Sequence, residues 1–550
     1  MMNKIIKVHP KDNLVVALTD LLPGETVNYC GQEFIIQERI PAKHKFVDRD
    51  MQPGDELYMY GVLVGKAQEV IRKGCAVKTS NVKHASDSYS IGKRKTEWHV
   101  PDVEKFRNKT FMGFHRDDGK VGTANYWLVV PLVFCENRNI EILREALEKE
   151  LGYGRNQNRR SQVRTLVTLY QEGKQIDEIM ETEIISEEQK GINQRIFKNV
   201  DGIKFITHEG GCGGTRSDAQ TLCGLIAGYI THPNVAGATI LSLGCQNAQV
   251  TMLTDEIKKR DKDLKKPVYI LGHQRTGLRE DFISQAIKKT FAGLVYANSF
   301  VRKRAPLSKL CIGLECGGSD GFSGISANPA IGYTSDMLVA LGGSVILSEF
   351  PELCGVEQNI SDRCISKEVA ERFSHLMTVY NQRAKAVGSG FDMNPSPGNI
   401  KDGLITDAIK SAGAAKKGGT SPVVDVLDYP EQVTRPGLNL LCTPGNDVES
   451  TTAEVGSGAN IVLFTTGLGT PTGNPLAPVV KLSSNTKLYE KMKDIIDINT
   501  GSIIEGKETI EEAGDRILNF VIDVASGNIK VSAVRNLQDD FIPWKRGVSL

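Results

Sequence analysis

Short apolar runs that end in polar, glycine-bearing loops recur along the chain from about residue 126 onward. Tyr126–Phe134, Ile203–Thr207, Ala238–Leu243 and Val268–Leu271 are such runs, with helix-period stretches at Ala219–Ile230 and Asp281–Phe291. Strands alternating with helices predict a parallel sheet. A second series follows: Leu310–Leu314, Ser344–Leu347, Leu438–Leu441 and Asn460–Phe464. It predicts a second doubly wound sheet. An amphipathic helix through Met337-Leu338-Val339 is expected after its first strand.

The first 78 residues follow another rhythm. Asn13–Leu18, Glu33–Ile36 and Gly61–Gly65 are β-rich, and Pro23-Gly24 and Pro53-Gly54-Asp55 separate them. These are the marks of a small all-β module. Ser80–Lys109 is polar and poor in aliphatic residues, as a linker is. The acidic stretch Gln175–Lys198 predicts a helical surface insertion. The chain therefore divides into 1–79, a linker 80–109, an α/β middle domain 110–304 and a carboxyl-terminal domain 305–550.

Composition changes this picture little. A chain of 550 residues exceeds one core, and 40 % hydrophobic with 24 % charged residues is ordinary for a globular protein. Lys+Arg 67 against Asp+Glu 66 gives no cue for nucleic acid or an anionic membrane. No signal-type apolar segment opens the chain and no run is long enough to span a bilayer, so a cytoplasmic protein is expected. No P-loop and no dinucleotide fingerprint occur. Eleven cysteines in a reducing compartment point to free thiols or metal ligands.

A parallel sheet gathers its strand ends at one edge, where ligands bind. In the last region that edge would collect Cys316, Glu349, Glu352, Cys354, Cys442 and Asp447; in the middle one, His208, Glu209, Cys212, Cys245 and His273. Mixed thiol, imidazole and carboxylate ligands suit Fe(II), Mn(II) or Zn(II). No tight CxxC pair is present, which argues against a structural zinc site. An iron–sulfur cluster on Cys212, Cys245 and Cys316 is the alternative. Cys30, Cys75, Cys223 and Cys364 are expected to pack as small hydrophobes. The loop Thr465–Pro475 offers backbone donors for a carboxylate or phosphate, or is a plain turn.

Five motifs together resemble the galactarate dehydratase/altronate dehydratase family of sugar-acid dehydratases. They are Gly113–Asn125, His208–Gly214 (His-Glu-Gly-Gly-Cys-Gly-Gly), Leu243–Asn247, Leu314–Pro329 and Ser348–Glu352 (Ser-Glu-Phe-Pro-Glu). The resemblance covers nearly the whole chain. It implies an amino-terminal β-clip (SAF-like) module, a middle domain that makes a homodimer, and a carboxyl-terminal variant Rossmann-like domain with a metal site for Fe(II) or Mn(II). It implies loss of water from a small sugar acid: D-altronate to 2-dehydro-3-deoxy-D-gluconate, with galactarate as the alternative substrate. The stretch near 155–198 departs from the galactarate members. A C2 proton beside a carboxylate is weakly acidic, so its removal needs a cation on that carboxylate and a positioned base. Cys316, Glu349 and Cys442, with Cys212 and Cys245, are the expected metal ligands. His208 is the expected base or acid, Glu209 a further expected catalytic residue, and His44 the cap from the β module. A non-catalytic sugar-acid sensor is the reading from another class, but no helix-turn-helix beside a basic surface supports it.

Overall fold

The computed structural model describes residues 3–154, 158–184 and 195–549. The amino-terminal module is built of short antiparallel strands, among them Leu14–Ala17, Thr26–Tyr29, Gln32–Ile35 and Val62–Ala67. Cys30 and Gly31 form the hairpin turn, at φ 49° and 80°, the left-handed pair that a two-residue hairpin requires. Cys30 is therefore exposed and Cys75 half-buried, whereas Cys223 and Cys364 are buried as expected. The strand Val82–Lys83 still pairs with the amino-terminal module; between it and Glu104–Arg107 the linker has no regular structure. It is nonetheless anchored: Lys95 N–H donates to Asp362 O at 2.7 Å, and Ser90 N–H to Gln358 Oε1 at 2.9 Å.

The middle region holds a parallel sheet in the order Gly202–Phe205, Tyr126–Pro131, Val235–Ser242, Val268–Gly272. Trp127 fills its core at 0 % exposure and donates its indole N–H to Thr239 Oγ1 at 3.1 Å. A separate antiparallel sheet pairs Thr110–His115 with Lys303–Pro306, tying the two ends of the region together. The insertion contains helices Asn158–Gln171 and Ile176–Glu181. Its expected continuation through 185–194 lies outside the described residues.

The carboxyl-terminal sheet has seven parallel strands in the order Val423–Leu427, Gly437–Leu441, Ser344–Leu347, Cys311–Cys316, Ile461–Thr466, Val479–Ser483, Ile498–Asn499. The helix Ala327–Ala340 is buried on most sides, not amphipathic. Its polar side chains are satisfied internally: Thr334 Oγ1 donates to Ala330 O at 3.0 Å, and Asp336 accepts from Thr420 N–H at 2.8 Å. It packs against Ile510–Ser526, whose start is fixed by a Thr509–Glu512 capping box. Among the described residues no helix is long and apolar enough to cross a membrane.

Candidate active site

The strand Cys311–Cys316 stands where the order of strands reverses, with Ser344–Leu347 on one side and Ile461–Thr466 on the other. A crevice at that reversal is where open α/β sheets bind ligands. Cys316 closes the strand at 2 % exposure. Its sulfur lies 3.1 Å from Glu352 Oε2 and 3.6 Å from Glu349 Oε2. Glu349 follows the neighbouring strand in the left-handed region, at φ 63°. A non-glycine residue there costs of order 1–3 kcal/mol, and such strain collects at functional sites. The turn Phe350–Leu353 then brings Glu352 back beside the thiol.

Two lysines answer these groups. Lys417 Nζ donates to Glu349 Oε2 at 2.7 Å and to Cys316 Sγ at 2.9 Å. Lys410 Nζ pairs with Glu352 Oε1 at 2.7 Å. Behind them Glu315 and Glu454 are fully buried, and Glu454 accepts from Ser348 Oγ at 2.7 Å. Half-buried Asp447 opens the helix Asp447–Gly456 beside Gly317. The carboxyls of Glu315, Glu349, Glu352, Glu454 and Asp447 thus crowd around two ammonium groups, which pair directly with Glu352 and Glu349. Burial, then Glu349 and Glu454, push the Glu315 carboxyl far up. Burial raises Glu454 to about 8 and Asp447 to about 7. Glu352 goes the other way: burial opposes it, but Lys410 and Lys417 hold it below its ordinary value.

Cys316, Glu349 and Glu352 place one ligand atom each within 4.8 Å of one another. Glu349 Oε1 is buried without a hydrogen-bond partner. A thiol, two carboxylates and an orphaned oxygen suit a divalent transition ion of the Fe(II) or Mn(II) kind. The residues present therefore fit a metal.

The amino-terminal module closes over the glycine loop beside this group. Lys43 Nζ bridges Asp320 at 3.0 Å and Asp402 at 2.9 Å. Lys45 is buried and donates to Gly403 O at 2.7 Å, and burial lowers its ammonium to about 7. A Cβ on Gly321 would strike Lys43 O, so only glycine lets the two segments meet. His44 points between these lysines, to Lys401 O at 3.0 Å. The contact from this module is made chiefly by its two lysines.

Other expected site residues lie elsewhere. His208 is buried, with Nε2 2.7 Å from Pro131 O and Nδ1 accepting from Gly210 N–H at 3.1 Å. Both ring nitrogens are committed to backbone, and burial lowers its pKa to about 4. It lines a cavity of about 690 Å³ together with exposed Glu209 and Cys212. Cys245 is exposed and accepts from Gln274 Nε2 at 3.3 Å. His273 pairs with Glu136 at 2.8 Å. Cys212 and Cys245 are exposed and Cys316 is buried, and among the described residues the three form no close group of ligand atoms. Cys442 is buried apart, its thiol pushed up to about 12 by burial and then by Asp428. In the loop after Thr465, Thr466 Oγ1 takes the N–H groups of Gly469 and Thr470 at 2.9 and 3.3 Å. Those donors are spent internally, as in a plain turn.

Lys410 and Lys417 escape a reading by strand ends because they lie on the helical segment 407–418. The signal is Lys410 and Lys417 on either side of Ser411-Ala-Gly-Ala-Ala, a stretch too small and apolar for a free surface.

Three family models match the chain. They are the altronate/galactarate dehydratase SAF domain over residues 3–85, the second domain of D-galactarate dehydratase/altronate hydrolase over 113–298, and the D-galactarate/altronate dehydratase C-terminal domain over 307–549. The chain is 32 % identical to an altronate dehydratase of Bacillus subtilis (strain 168) over 552 residues, covering 100 % of both. It is 30 % identical to an altronate dehydratase of Escherichia coli (strain K12), covering 99 % of each. It is also 30 % identical to the galactarate dehydratase (L-threo-forming) of Escherichia coli (strain K12), covering 96 % of this chain and 93 % of that one.

Proposed function

The chain belongs to the D-galactarate/altronate dehydratase family, and we propose that this hydro-lyase dehydrates D-altronate with a divalent cation held by Cys316, Glu349 and Glu352. One observation carries the reading: a buried thiol and two carboxylates converge at the sheet's reversal point, with Glu349 Oε1 left unpartnered. When bound, Fe(II) or Mn(II) supplies positive charge against the substrate carboxylate.

The chain's own residues do the rest. Lys417 holds Cys316 and Glu349 in place through paired hydrogen bonds. Lys410 does the same for Glu352. Asp447 is reachable and titrates near 7, so at neutral pH it can take a proton from C2 or give one to the departing C3 hydroxyl. Lys43 and Lys45 close the glycine loop and keep water out. Full-length likeness to two altronate dehydratases supports altronate as substrate; galactarate is the second reading, since a named galactarate enzyme is as similar. The proposal includes a homodimer through the middle region, where Leu278 and Phe134 are 73 % and 43 % exposed. The test is a keto-acid assay on both sugar acids with Fe(II)- or Mn(II)-loaded enzyme. Product from altronate alone supports the proposal, product from galactarate alone moves it to the second reading, and no product from either ends it.

A further inference from the structure

A second convergence of ligand-type side chains lies away from the Cys316 group. His84 follows the strand Val82–Lys83 at the end of the amino-terminal module. Cys354 follows the turn that carries Glu352, and Asp407 opens the helix that carries Lys410. The three place one ligand atom each within 4.8 Å of one another. They line a cavity of about 500 Å³. Asp407 is 1 % exposed, and its Oδ2 has no hydrogen-bond partner. A buried orphaned carboxylate oxygen is costly unless something binds it.

We propose that His84, Cys354 and Asp407 form a second metal site, one that takes Zn(II). One thiolate, one imidazole and one carboxylate are a three-ligand zinc set with a fourth position open. The thiol makes Mg(II) or Ca(II) poor occupants. Binding expels the Cys354 S–H proton to solvent as the thiolate–zinc bond forms. The ion would join the amino-terminal module to the two segments bearing Glu352 and Lys410. That tie is already tight: a Cβ on Gly355 would lie 3.3 Å from Ala408 and 3.5 Å from Ser86. The inference stands on its own ligands and does not require the reading of the Cys316 group.

The test is cobalt titration of the chelated, full-length Cys316→Ser protein without oxygen. A sulfur-to-cobalt charge-transfer band should appear, saturate with a single ion and vanish on zinc addition. It should be absent from the Cys316→Ser/Cys354→Ser protein. His84→Gln should weaken cobalt binding by at least about tenfold. No band in the Cys316→Ser protein, or an equal band after Cys354→Ser, overturns the site. Should Cys316→Ser fail to fold, zinc content of otherwise native protein decides. Cys354→Ser must then lose one tightly bound zinc, and unchanged zinc content refutes the proposal.

Discussion

Lys417 and Glu349 form an ion pair at 2.7 Å in which each side chain is 1 % exposed. A pair so placed gains little over an apolar core, but losing one partner strands a charge. Lys417→Met should therefore cost about 3–5 kcal/mol in unfolding free energy. Adding Glu349→Gln should recover part of that loss. Denaturant melts of the two single variants and the double variant read this coupling directly, and additive losses would contradict it.

The same pair supports catalysis as a positioning device. Lys417→Met should lower kcat at least about a hundredfold with the metal supplied in excess, because Cys316 and Glu349 lose their shared donor. A change confined to KM would show that Lys417 meets substrate instead.

His208→Gln should keep turnover within about threefold of the parent, since both nitrogens of His208 face backbone and not substrate. Its effect should appear as reduced thermal stability. A kcat loss of a hundredfold in a folded protein would restore His208 to the chemistry.

Sequence reading placed the glycine loop, Cys316 and Glu349 together because strand ends in a parallel sheet must share an edge. By the same rule Cys442 falls with them and His208 at the edge of the middle sheet, and there the rule is too coarse. Strand ends share an edge, but which way each side chain turns depends on local backbone. Glu349 turns inward through its left-handed φ, whereas His208 turns back onto Pro131. The strands Val423–Leu427 and Val479–Ser483 escape a reading by apolar runs because a half-buried Asp425 and a buried Lys481 interrupt their pattern. The burial of the helix Ala327–Ala340 was likewise invisible, since Thr334, Ser335 and Asp336 resemble a solvent face until their partners are known.

Two buried histidines set an acid limit. His208 is held near 4 and His232 near 3, both lowered chiefly by burial. Their ordinary value is about 6.5. The unfolded chain therefore binds more protons as pH falls below about 6.5, so stability drops from there until the folded-state values are reached. His208 alone accounts for up to about 3 kcal/mol of that loss. Unfolding free energy measured at pH 7 and pH 4.5 should differ in this sense, and His208→Gln should shrink the difference.

Gly321→Ala should slow turnover at least about tenfold, because the new Cβ strikes Lys43 O and lifts the amino-terminal loop from the site. Gly92→Ala, with nothing within 4 Å of the new Cβ, should leave the rate unchanged. Equal rates for both variants would show that this closure does not matter to the reaction.

The most direct measurement is turnover of altronate and galactarate by enzyme stripped of metal and then reloaded with Fe(II) or Mn(II), alongside Glu349→Gln treated the same way. Stripped enzyme should be inactive, reloading should restore keto-acid formation, and Glu349→Gln should stay inactive at metal levels that saturate the parent. Full turnover by rigorously stripped enzyme would contradict the account.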